Sequence, residues 1–163
     1  MAKVRFTKVL PPTPDEFRAR ARQEFAFLAG EFGFREVPIA PGYQNPVAVW
    51  FENGTTRVVV EGINWAANAR VALGRAGLPE AFENIDLGDL ATVRCPGLAL
   101  TDEQTKAEQE GGQWVQLSRM AKWLRECGAE MLRGDFGAFP EIQKIREGRS
   151  QEWRRTHNWS PDA

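Results

Sequence analysis

The stretch NPVAVWFENGTTRVVVEGINWAANARVALG, residues 45–74, decides the fold of this chain. Its side chains alternate along three short runs, which is the period expected of β-strands. Asn53-Gly54 separates the first two runs and predicts a type I′ hairpin turn, in which both central residues have positive φ. With one run before them, these segments predict an antiparallel β-meander of about four strands at 34–39, 46–52, 55–61 and 68–73.

The alternation also assigns side chains to the two faces of the predicted sheet. In the second strand Val49 and Phe51 point one way and Trp50 the other, and in the third strand Val58 and Val60 lie opposite Val59. An antiparallel sheet commonly covers one face with helices and leaves the other wet or covered by a partner. The pattern does not show which face is exposed.

Helical patterns lie on both sides of the meander. Thr13-Pro14-Asp15-Glu16 is typical of a helix start, and Gly33 is placed to end that helix in a left-handed conformation. Residues 113–132 predict a second amphipathic helix, and Pro140-Glu141 begins a last one. A run of strands between helical segments predicts an α+β fold, in which the meander packs against an N-terminal helix and a C-terminal helical region.

Length and composition predict one soluble domain. The 163 residues, with a net charge of −1, suit a single domain over 1–163, with a possible arm at 1–12 and a possible tail at 147–163. No segment has the pattern of a signal peptide or a membrane span. Cys95 and Cys127 form no paired motif, so we expect two reduced thiols in a cytoplasmic protein, although a disulfide stays possible.

The sequence offers little reactive chemistry. His157 is the only histidine, and a lone histidine in a polar tail is typically exposed to solvent. Glu80 with Glu83, and Asp86 with Asp89, are spaced three apart and could bind a hard cation or exchange protons on one face of a helical turn. Because solvated acids are far commoner, we predict no catalytic residue, no metal site, no cofactor and no enzymatic activity.

Charge is unevenly distributed along the chain. Residues 78–110 carry eight acids and two bases, whereas residues 144–157 carry five bases and two acids. An acidic surface would speed encounter with a basic protein partner, so Trp65, Glu80, Glu83, Asp86 and Asp89 are the predicted partner-binding residues. The alternative is a small-ligand or nucleic-acid binding module that uses a groove between sheet and helices or the basic tail with Trp153 and Trp159. A sequence pI near 6.0 disfavours nucleic acid.

Several segments resemble a group of small bacterial α+β proteins. They are FAFLAGEFGFREV, VAVWFENGTTRVVVEG, ARVALGRAG and LRECGAEMLRGDFGAFPEI. In that group a helix ending in EFGF precedes a β-meander, and a late helix ends before GDF. Several of its members are immunity proteins that accompany toxins of interbacterial competition. The resemblance implies a non-enzymatic protein that binds and neutralises a cognate toxin, and it supplies no site residues.

Overall fold

The computed structural model describes residues 10–63, 68–77 and 84–157, and it is an α+β fold, as predicted. Its antiparallel sheet has the strand order β1-β2-β3-β4-β5, one strand more than expected. The strands are β1 Arg35–Val37, β2 Ala48–Glu52, β3 Thr56–Ile63, β4 Asn68–Arg75 and β5 Ile85–Asp86. The α-helices in the described ranges are α1 Pro14–Glu24, α2 Phe27–Phe32, α3 Leu87–Arg94, α4 Asp102–Gly111, α5 Gln113–Cys127, α6 Ala129–Leu132 and α7 Phe139–Thr156.

The N-terminal helical region begins and ends at the predicted residues. Thr13 caps α1 by accepting a hydrogen bond from Glu16 N at 3.2 Å, and the Glu16 carboxylate accepts one from Thr13 N at 3.4 Å. Gly33 ends α2 with φ 69° and ψ 25°. The expected single helix is divided near Phe25, where the Phe25 amide donates to Ala21 O at 3.0 Å and the Ala26 amide donates to Gln23 O at 3.4 Å. Arg22 on α1 also binds Glu36 on β1, and this hydrogen-bonded pair lowers the pKa of Glu36.

The predicted face assignment of the sheet is confirmed. One face packs against the helices and forms the main core, which includes Phe17, Phe25, Leu28, Val49, Phe51, Val58, Val60, Val71, Leu73, Leu117, Leu124 and Ile142. The opposite face carries a second, smaller cluster of Ala48, Trp50, Val59 and Ala72. Tyr43, from the loop between β1 and β2, packs edge-on against Trp50 with ring centroids 5.0 Å apart. Trp50 is therefore only 5% exposed, although it lies on the face away from the helices.

The β2–β3 hairpin is confirmed, but its predicted type I′ turn is wrong. Among the described residues, positive φ occurs at Asn84 and at five glycines, and neither Asn53 nor Gly54 is among them. Instead Asn53 Oδ1 accepts hydrogen bonds from Thr55 N at 2.9 Å and Thr56 N at 2.8 Å. This Asx-type turn tightens the hairpin through a side chain, so the backbone does not need the left-handed conformation.

The helical region after the sheet differs from the predicted boundaries. The expected helix over 113–132 is two helices, α5 and α6, which meet at Gly128. The segment 85–93 is first strand and then helix, because β5 continues directly into α3. Most of α4 lies in the acidic segment 78–110, and its N-cap Thr101 forms a capping box with Gln104. The sequence carries this helix-start signal at Thr101 and Gln104, although no helix is predicted there.

The cysteines correct the expectation of reduced thiols, because Cys95 and Cys127 are paired as a disulfide. Cys95 follows the last residue of α3 and Cys127 is the last residue of α5. Their Cα atoms are 5.9 Å apart, within the usual range for a disulfide. The packing of α3 on α5 brings the two helix ends together across 32 residues of sequence. The cytoplasmic location stays a prediction, and reduced cysteines no longer support it.

Within the described ranges, every helix is too short or too polar to cross a lipid bilayer.

Candidate functional site

A groove of about 820 Å³ lies between α7 and the end of the sheet where β5 enters α3. We call it the arginine groove. The described residues that line it are Arg70, Asp86, Asp89, Arg146, Arg149, Ser150, Trp153 and Arg154. Arg70 comes from β4, Asp86 and Asp89 come from β5 and α3, and the other five come from α7.

The α7 residues of the groove are spaced as one face of a helix. They fall at 146, 149, 150, 153 and 154, which are intervals of three and four residues. This face differs from an ordinary amphipathic stripe because it is polar and cationic except for Trp153. In the first part of α7 Ile142 is fully buried, whereas every residue from Arg146 onward is exposed. The outer half of α7, residues 146–156, therefore extends past the core for about 16 Å, at 1.5 Å per residue.

The outer half of α7 contacts the rest of the groove through an ion pair. Arg149 on α7 donates a hydrogen bond to the carboxylate of Asp89 on α3. The Asp89 side chain is only 10% exposed and the Arg149 side chain is 60% exposed. A carboxylate this buried needs a cationic or hydrogen-bonding partner. Asp89 therefore fixes the position of Arg149, and with it one side of the groove.

Asp86 and Arg70 form the opposite side. Asp86 Oδ1 accepts a hydrogen bond from Gly88 N at 2.8 Å and caps α3, while its Oδ2 lies 3.4 Å from Arg70 Nε. Arg70 also lies 3.4 Å from Glu61 and donates to Asn84 at 2.9 Å. Both predicted acidic contact residues that the structure describes are thus held by arginines, and they do not form an open acidic patch.

The charge of the arginine groove follows from its lining. Four arginines face two aspartates, which gives the described lining a net charge of +2. The protein as a whole has a net charge of −1, so this positive surface is local. Guanidinium groups bind carboxylates and phosphates with paired hydrogen bonds. The groove therefore suits an anionic group, and its two carboxylates can accept hydrogen bonds from the same ligand.

Trp153 provides the apolar part of the groove. Its side chain is 54% exposed, and its ring stacks on His157 with centroids 4.5 Å apart and an angle of 15° between planes. His157 Nδ1 lies 2.9 Å from Trp153 O and 3.0 Å from Thr156 Oγ1. The lone histidine thus supports one side of an exposed aromatic platform at the end of α7.

The predicted contact residues are only partly accounted for. Asp86 and Asp89 lie in the groove, whereas Trp65, Glu80 and Glu83 lie outside the described residues, as does Trp159. Sequence reasoning named the basic segment as an alternative site but did not recognise Arg70 and Ser150. The spacing of Ser150 with Arg146 and Trp153 was a usable signal, because it completes one helical face. Arg70 had no such signal in the sequence, because only the pairing of β4 with β5 brings its side chain to Asp86 at the start of α3.

In the described parts of the chain, no group of three or more histidine, cysteine, aspartate or glutamate side chains is arranged to hold a metal ion.

No protein-family model matches this chain, no curated protein is significantly similar to it, and no solved structure matches its fold.

Proposed function

We propose that this chain is a non-enzymatic protein that binds an acidic segment of a partner protein in the arginine groove. The observation that carries the proposal is the cationic face of the outer half of α7, which presents Trp153 beside several arginines. Tryptophan and arginine are the residues most enriched among those that dominate protein–protein binding energies. The arginine groove, and not the acidic segment 78–110, is therefore the contact surface that we propose.

We further propose that the partner is a toxin and that the protein is of the immunity type. This finer proposal rests on the resemblance of residues 17–145 to small bacterial proteins of that kind, and the groove is compatible with it. An inhibitor must bind tightly without chemistry of its own, and a rigid body that presents one aromatic and several guanidinium groups suits that task. Localised charge also accelerates encounter with a partner of opposite charge.

Calorimetry with the product of the neighbouring gene tests this proposal. We expect micromolar or tighter binding, with about tenfold loss in Arg154→Glu, because a hydrogen bond to a charged group contributes about 1.5–3 kcal/mol. The matched control is Arg155→Glu, which changes the same charge at the next residue but lies outside the groove lining. If the neighbour shows no binding at about 10 µM, or if both variants behave alike, the proposal fails.

The second candidate function is binding of single-stranded nucleic acid. It is favoured by one observation, the exposed ring of Trp153 among arginines, which could stack a base while guanidiniums hold phosphates. The sequence pI near 6.0 counts against it, because proteins dedicated to nucleic-acid binding are typically basic. A nucleic-acid complex would weaken steeply as salt is raised, whereas a protein interface of mixed charge would be less sensitive.

A further inference from the structure

A second cavity adjoins the arginine groove. It measures about 470 Å³ and lies between β4, α3 and α5. We call it the apolar pocket. Eight of the described residues that line it have apolar side chains: Ile63, Ala69, Val71, Leu87, Ala99, Leu100, Met120 and Trp123. Pockets of this size with mainly apolar walls and a few polar groups are typical of ligand sites.

The apolar pocket and the arginine groove share two lining residues, Arg70 and Asp86. These side chains form an ion pair with Arg70 Nε 3.4 Å from Asp86 Oδ2, so the pair forms the boundary between the two cavities. Arg119, which also lines the pocket, binds Glu108 and lies 4.3 Å over the Trp123 ring. Both arginines of the pocket are therefore paired with carboxylates, and most of the lining residues are apolar.

The apolar pocket is not sealed from solvent. Ile63 is 37% exposed, Ala99 and Thr92 at its rim are exposed, and Trp123 is only partly buried. A large apolar side chain that entered from the groove would displace water from these surfaces and gain free energy in proportion to the area covered. The same partner could keep its charged groups in the groove, on the other side of the Arg70–Asp86 pair.

We infer that the two cavities form one composite site for a peptide segment in which a large apolar residue is flanked by acidic residues. This inference rests on the proposed function and names the chemistry of the partner. The apolar residue anchors in the pocket, and the flanking carboxylates bind the arginines of the groove. A purely acidic segment would fill only half of the site. A nucleic acid could place a base in the pocket, but the polar edges of the base would lose their hydrogen bonds to water against mainly apolar walls.

Fluorescence anisotropy with two labelled peptides tests the inference on the full chain. One peptide contains only glutamate and serine, and the other has a single phenylalanine at its centre. We expect the phenylalanine to tighten binding by about tenfold or more, as burial of one large apolar side chain predicts. In Ala99→Trp, which places a large ring at the exposed rim of the pocket, that advantage should disappear while the glutamate peptide still binds.

The control is Ala107→Trp, the same exchange at an exposed position of α4 outside the pocket lining, which should leave both peptides unaffected. If the two peptides bind equally, the composite site is wrong and the groove proposal stands. If neither binds at about 1 mM, both proposals fail. If an oligothymidylate binds more tightly than the phenylalanine peptide, the partner is a nucleic acid and both are overturned.

Discussion

The outer half of α7 and the rest of the molecule differ in how far their side chains are buried. In the body, comprising the described residues up to Ile145, most large apolar side chains are buried. In residues 146–156 every side chain is exposed, and Trp153 is the most exposed of the tryptophans with a described side chain. The apolar side chains of the body thus stabilise the fold, whereas the outer half of α7 has an exposed surface suited to binding.

The largest expected effect lies at the inner end of α7. Ile142 is fully buried in the main core, and Ile142→Ala removes its packing and leaves a cavity. We expect the free energy of unfolding to fall by about 2–5 kcal/mol, measured by urea denaturation. The control is Val115→Ala at a 46% exposed position, which should change stability by less than about 0.5 kcal/mol. Equal losses in the two variants would remove the distinction between body and surface.

Asn53 is expected to give the next largest effect, because it joins three parts of the body. Its Nδ2 donates to Phe32 O at 3.1 Å and to Leu132 O at 2.9 Å, and these carbonyls end α2 and α6. Asn53→Ala removes those bonds together with the turn bonds described above, so we expect a loss of about 2–3 kcal/mol in thermal or urea unfolding. Gln151→Ala, an exposed polar residue of the outer half of α7, serves as the control and should have little effect.

The parts of the fold that could be predicted from sequence are those set by local signals. Alternation in residues 46–73 assigned the faces of Val49, Trp50, Val58 and Val59, because a strand allows only two directions for a side chain. The capping box at Thr13 and the left-handed Gly33 followed from the needs of helix ends. The type I′ turn failed since Asn53 uses its side chain for tertiary bonds as well as for the turn.

The way in which the parts of the candidate site come together could not be predicted, because it depends on pairings distant in sequence. Arg149 binds Asp89 across 60 residues, and Arg70 reaches Asp86 through the pairing of β4 with β5. Sequence charge placed Asp86 and Asp89 in an acidic segment, but tertiary contacts neutralise them with bases from elsewhere. A count of charges along one segment predicts the charge of its surface only when no oppositely charged side chain from another element pairs with it.

A smaller effect is expected on the second face of the sheet, where Tyr43 donates a hydrogen bond to the Glu61 carboxylate. Burial, and then this hydrogen bond, raises the pKa of Tyr43 above its ordinary value of about 10. Above that pH the unfolded chain ionises while the folded chain keeps the proton, so this contribution to stability is present below pH 10 and is lost as the pH rises further.

Tyr43→Phe tests this contribution. Near neutral pH we expect it to lower the free energy of unfolding by about 1 kcal/mol through the lost hydrogen bond. The difference between wild type and variant should shrink when urea denaturation is repeated near pH 11. A difference that stays constant from pH 8 to pH 11 would show that the hydroxyl is not held as described. Other groups that titrate in this range affect both proteins alike, so the difference isolates Tyr43.

The smallest effect on stability, and the sharpest separation of the two regions, is expected for Trp153→Ala. Its ring stacks on His157, which follows the last residue of α7, and remains half exposed, so the free energy of unfolding should change by less than about 0.5 kcal/mol. Binding of the glutamate–phenylalanine peptide should nevertheless weaken by about tenfold or more, since an exposed tryptophan in a cationic groove has the character of a binding hot spot. Urea denaturation and anisotropy on the same samples compare the two quantities directly. If the variant loses stability but still binds the peptide, Trp153 stabilises the fold and does not contribute to binding. The outer half of α7 would then not be the binding surface.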